Sequence, residues 1–250
     1  MTDEVRSTKN RRFDFKQVLA FLLHPRQELA RLAAEEKAVW LMPLLVVCVF
    51  MLLRVVAGGF FEARAAALGQ VALPADWEWW STDMQESYMQ AQAATQGPVF
   101  VYIIPAVMEL IKIWLGWLVV SGLLHLASTL LGGRGSMRSV QNLVAWSMLA
   151  FAARDLLRLG FILIAQHPVV SAGLSGFATG AFLRQVLVNA DVFFVWFAVL
   201  LGLGLATMDS LPVKKSVAAV VVVLLVVVLA KAGLGALTSG LGGMSVTRIF

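Results

Sequence analysis

Long apolar runs separated by short polar stretches dominate the chain after residue 38. The most informative run reads GPVFVYIIPAVMELIKIWLGWLVVSGLLHLASTLLGG, from Gly97 to Gly133. A helix that crosses a bilayer needs roughly 20 residues, so this run is long enough to span with residues to spare. The whole pattern predicts five spans, at about 39–58, 98–131, 140–165, 181–207 and 213–237. The last is a valine and leucine run that would favour a strand in water. In lipid it must be helical, because an open strand leaves its backbone groups unsatisfied there.

Two stretches break the pattern. Before the first span, Phe13, Phe15, Val18, Leu19, Leu22 and Leu23 recur at near-helical spacing, with Asp14, Lys16 and Gln17 among them. His24-Pro25 interrupts, and Pro25 suits the first position of a second short helix that runs to Glu36. A basic amphipathic segment of this kind, over 13–38, reads as helix lying in the membrane interface, with Phe13 and Phe15 as anchors, or as helix packed on the protein's own cytoplasmic loops. Between spans one and two, residues 60–96 are too polar to cross and are expected to form an outer loop. This loop should hold a short helix, a turn at Pro74 and a second helix capped near Ser81 or Thr82. Its Trp77, Trp79 and Trp80 are candidate anchors at headgroup level. Residues 1–12 read as a disordered basic tail and 238–250 as a loose one. The expected fold class is therefore all-α, an integral membrane bundle of five helices preceded by an interfacial amphipathic helix.

Composition strengthens this picture: 60% of the residues are hydrophobic and 14% charged, where a soluble domain carries about 25% charged residues. The net charge of +5 then points to topology and anionic headgroups, with no nucleic acid as partner. With the N-terminus inside, Arg6, Lys9, Arg11, Arg12, Lys16, Arg26, Arg31, Lys37, Arg134, Arg138, Lys214 and Lys215 fall in inner segments. Only Arg64 and Arg248 fall in outer ones, a bias of twelve to two. Five spans place the C-terminus outside. No cleavable signal peptide is expected, because the first residues are polar and no small-residue cleavage site follows the first run.

Besides His125, which lies in the inner half, nine charged residues interrupt the spans: Arg54, Glu109, Lys112, Arg154, Asp155, Arg158, Arg184, Asp191 and Lys231. In the orientation above all nine fall in the outer half of the membrane, six positive and three negative. Charges at that depth are costly, so they face protein or water. Glu109 and Lys112 share a helix face, as do Arg154 and Arg158 at i, i+4, and Arg184 and Asp191 at i, i+7. Two readings stand side by side. The charges pair with one another and fix helix register, or they line a polar chamber for an anionic group.

Recognised catalytic chemistry is missing. No phosphate-binding glycine loop, HExxH or GxSxG occurs. His24, His125 and His167 lie in different segments, and the single Cys48 can form neither an internal disulfide nor a cysteine metal site. No catalytic residue, metal site or cofactor is expected.

Several motifs taken together carry a resemblance. LLHPRQELARL leads into WLMPLL; the second span ends in LLHLASTLLGGRGSMRSVQNLVAWS; a later span reads VWFAVLLGLGLATMDSLPVKKSVAAVVVV. This layout, over roughly residues 15 to 237, is similar to the Yip-domain family of five-span membrane proteins, named for members that interact with Ypt/Rab GTPases. Its most specific part is the turn from Gly132 to Ser136 followed by Val140 and Trp146. The resemblance implies a cytoplasmic N-terminus and no enzymatic activity. The chain lacks the long N-terminal region of eukaryotic members and looks like a short bacterial version, in the plasma membrane. It then implies an accessory or scaffold subunit that binds lipids and other membrane proteins, ABC-type exporter components among them. The alternative is a lipid- or anion-handling transporter that uses the polar chamber.

Overall fold

The computed structural model of the 250-residue chain describes residues 15–35, 37–69, 73–74, 76–167, 169, 174–188 and 190–247. Among these, every regular element is helical: α1 (Phe15–Leu23), α2 (Pro25–Ala33), α3 (Leu41–Ala67), α4 (Thr82–Thr95), α5 (Ile104–Leu130), α6 (Met137–Ser147), α7 (Leu149–Ala165), α8 (Ala181–Leu187), α9 (Val192–Met208) and α10 (Val213–Thr247). A π-helical turn at Val99–Ile103 leads into α5, and 3-10 turns sit at Trp77–Trp79 and Ser175–Phe177. Among the described residues, three helices are long and apolar enough to cross a membrane: Leu41–Ala67, Val99–Leu130 and Val213–Gly235. The chain is an integral membrane protein of all-helical fold.

The other two expected spans are each divided. The 140–165 run is α6 and α7, joined through Met148, which keeps near-helical angles (φ −64°, ψ −12°). The 181–207 run breaks more sharply. The Asp191 carboxylate accepts the Phe194 N–H at 2.8 Å, which starts α9 afresh as an N-cap does. Arg184 and Asp191 therefore lie on different elements, not on one helix face. Two helices also outrun their expected ends. α3 continues past Gly58 to Ala67, since FFEARAAA is rich in good helix formers. α10 runs to Thr247 through most of the expected loose tail, with no proline to stop it.

The chain forms two compact units. Unit one comprises Met1–Val47, Gly116–Ala153 and Ser171–Phe250. In it α2 packs on α6 and α9, α6 on α9, and α10 on α8 and α9. This packing covers part of the expected amphipathic segment with protein. Leu29 and Leu32 of α2 are buried, and Phe21 of α1 is buried with its ring 5.4 Å from that of Trp146. α2 turns its apolar face to protein because α6 and α9 offer an apolar surface to cover. Burying each such side chain contributes about 1.5–3 kcal/mol. Only α1 still turns leucines outward, Leu19 at 60% and Leu23 at 65% exposure. Phe13 lies outside the described residues, and Phe15 opens α1.

Unit two comprises Cys48–Leu115 and Arg154–Val170. The buried face of α3 here carries Cys48, Met51 and Val55, at i, i+3 and i+7. In the loop, α4 is capped by Ser81, whose hydroxyl accepts the Met84 N–H at 3.4 Å. Trp77, Trp80 and Tyr88 form a cluster with ring centroids 5.5–5.7 Å apart. Gln85 Nε2 donates to the carbonyls of Trp77 and Trp80 and ties the turn to α4. Of the three candidate anchors, Trp79 alone stands out, at 88% exposure, while Trp77 and Trp80 are half-buried in the loop's own packing.

Candidate functional site

Unit two brings most of the sequence-predicted charges together. Arg54 projects from α3, one turn after buried Met51, and remains 24% exposed. Its Nη2 lies 3.8 Å from Glu109 Oε2 on α5, and its Nε lies 3.0 Å from Asp155 Oδ1 on α7. Lys112 Nζ is 3.0 Å from Glu109 Oε1, the i,i+3 pairing expected of one helix face. Arg154 Nε approaches the same Asp155 oxygen at 4.0 Å. Asp155 is the most buried member, its side chain 6% exposed. Arg158 follows Arg154 by four residues on α7. Three helices are thus joined by one set of ion pairs, with Arg54 at the centre.

Taking the Asp155 carboxylate out of water is costly, and attraction to its cationic partners is what offsets this. Both carboxylates are engaged by cations, so neither is poised as a free base. The remaining predicted residues belong to unit one. Asp191 acts as the α9 cap. Arg184 sits on α8, and Lys231 on α10. No group of three or more His, Cys, Asp or Glu residues suited to a metal occurs among the described residues.

Unit one holds polar contacts that sequence reasoning missed. Asn142, fully buried on α6, accepts the Val39 N–H at 2.9 Å through Oδ1. Its Nδ2 donates to the Lys37 carbonyl at 2.9 Å. Trp146 Nε1 donates to the Val39 carbonyl at 3.2 Å. Two side chains of α6 therefore hold the segment between α2 and α3 as a neighbouring strand would. The available signal was a lone Asn in an apolar helical stretch, since a buried amide needs partners. Replacing Asn142 by alanine strands both backbone groups, at about 1–3 kcal/mol each. The expected result is a clearly lower unfolding temperature in detergent, and an unchanged one would show that the clamp contributes nothing.

A second contact lies where α5 turns into α6. Gly132 takes φ +93° after the helix ends. Buried Asp209, just past α9, accepts the Ser128 hydroxyl. A side chain at Gly135 would collide with the Asp209 carboxylate, and Lys215 Nζ donates to the Leu131 carbonyl at 3.0 Å. The residues that carried the resemblance, from Gly132 to Ser136 and on to Trp146, are those on which these contacts converge.

A family model described as the Yip1 domain matches residues 19–235. The chain belongs to the Yip1-domain family. That family is one of non-enzymatic membrane proteins that interact with other membrane-associated proteins and with lipids. Comparison with curated proteins and with solved structures gave no match. Within this Yip1-domain chain the matched region takes in both the ion-paired helices of unit two and the clamp of unit one.

Proposed function

We propose that the chain is a non-enzymatic scaffold of the bacterial plasma membrane that docks another membrane protein through the α1–α2 hairpin of unit one. The observation that carries this reading is the division of labour within the hairpin. α2 buries its leucines against α6 and α9, whereas Leu19 and Leu23 of α1 stay exposed. Exposed Arg26 and Arg31 belong to the same hairpin, and exposed Arg134, Arg138, Lys214 and Lys215 belong to the same unit. An exposed apolar strip on a unit rich in exposed positive charge suits a partner of apolar and acidic surface. The family resemblance favours a component of an ABC-type exporter as that partner. In this reading the divided helices complete a five-span topology, with the N-terminus cytoplasmic and the C-terminus outside.

The test is affinity purification of the full chain in mild detergent, followed by mass spectrometry. Wild type should retain a stoichiometric membrane partner that the Leu19→Asp/Leu23→Asp variant loses while remaining folded. Equal capture by both would remove the hairpin from the interface. A periplasm-dependent reporter fused after Phe250 should be active, and an inactive one would overturn the five-span arrangement.

A further inference from the structure

The ion pairs of unit two form one chain of alternating sign, Lys112–Glu109–Arg54–Asp155–Arg154, and both of its ends are cationic. Three positive members against two negative leave +1, and Arg158 raises the sum to +2. The other carboxylates of the unit's described residues, Glu62, Asp76, Glu78, Asp83 and Glu86, are exposed. The Lys112 end faces outward. Its side chain is 65% exposed. Met108 and Leu115, one turn away on the same face, are exposed apolar residues.

This stretch belongs to a helix long and apolar enough to cross a membrane, so an exposed apolar face there meets acyl chains. An ammonium in such surroundings needs a counter-charge near it. Glu109 supplies only part of one, because it also faces Arg54. A phosphate group fits the remainder: it is anionic, it accepts several hydrogen bonds, and lysine binds it as a point charge. We propose that the Lys112 end of this ladder is a binding site for a phosphate-bearing anion, supplied by a phospholipid headgroup or by free phosphate. The ladder behind it holds the lysine in place and keeps the local charge positive.

The experiment uses the full chain in mild detergent and native mass spectrometry. The probes are phosphatidylglycerol, diacylglycerol as a phosphate-free comparator, and inorganic phosphate as competitor. Wild type should retain phosphatidylglycerol in preference to diacylglycerol. Lys112→Gln should retain it about tenfold less well. Lys112→Arg should keep most of the binding, and Arg64→Gln, an exposed residue of α3 outside the ladder, should leave it unchanged. Retention that withstands millimolar phosphate supports the headgroup as source, while displacement by phosphate supports the free anion. Equal retention of phosphatidylglycerol by wild type and a folded Lys112→Gln variant overturns the proposal, as does equal retention of the two lipids.

Discussion

Replacing Asp155 by alanine should destabilise the protein by about 3–5 kcal/mol, the cost of removing one partner from a buried ion pair. Asp155 is 4% exposed, and two guanidinium groups from α3 and α7 lie within ion-pair distance of it. Without it, Arg54 keeps only the longer interaction with Glu109. The size of the effect is set mainly by the Arg54 guanidinium, which trades its 3.0 Å contact with Asp155 for the 3.8 Å one with Glu109. Two further variants separate these contributions. Asp155→Asn keeps the shape and an acceptor oxygen, and should cost less than alanine. Arg54→Leu with Asp155→Leu removes both charges, and should be more stable than the single alanine variant, because apolar pairs often replace buried ions without loss. Thermal unfolding in detergent, followed by tryptophan fluorescence, measures all three. If the double variant unfolds as early as the single one, the ladder is not limited by an uncompensated charge.

A comparable loss is expected for Trp146→Ala in unit one, about 3–5 kcal/mol for a large aromatic removed from a core. Trp146 is 1% exposed, packs on Phe21, and donates its indole N–H to the Val39 carbonyl. Trp146→Phe keeps much of the ring and gives up the hydrogen bond, so it should cost about 1–3 kcal/mol, with a buried carbonyl unsatisfied. Because α1 reaches the core through Phe21, limited proteolysis should cut the α1–α2 hairpin sooner in the alanine variant than in the phenylalanine one. Equal cleavage would mean that the hairpin is held by α2 alone.

Much of the fold was legible because lipid imposes a simple rule. A run of apolar residues long enough to cross must be helical, and α3, α5 and α10 follow from that rule alone. The breaks were not legible, because summed hydropathy is blind to capping. Asp191 looked like an intramembrane charge, yet its carboxylate serves the N–H of Phe194. The amphipathic pattern of residues 13–36 showed that one face is apolar but could not say what covers it. For α2 the cover is α6 and α9. For the candidate site, spacing along one helix gave the Glu109–Lys112 pair directly. The junction of three helices through Arg54 depends on which faces meet, and one helix's sequence does not contain that. Asn142 went unnoticed for a related reason: its partners are backbone groups more than a hundred residues away.

The π-helical turn before α5 bears on how this chain tolerates changes in length. The Ile104 N–H bonds to the Val99 carbonyl, five residues back, so the turn holds one residue more than an α-helical turn would. That wider turn sets Tyr102 against Gly59 of α3, where a Cβ would come within 2.8 Å of the ring. A single-residue deletion within 99–103 can be absorbed by tightening the turn to α, which leaves Glu109 facing Arg54. The same deletion between Pro105 and Glu109 finds no spare residue. It would swing the carboxylate about 100° around the helix, away from its partner. Lineages of this sequence should therefore lose a residue at the π turn more readily than at the few positions after it.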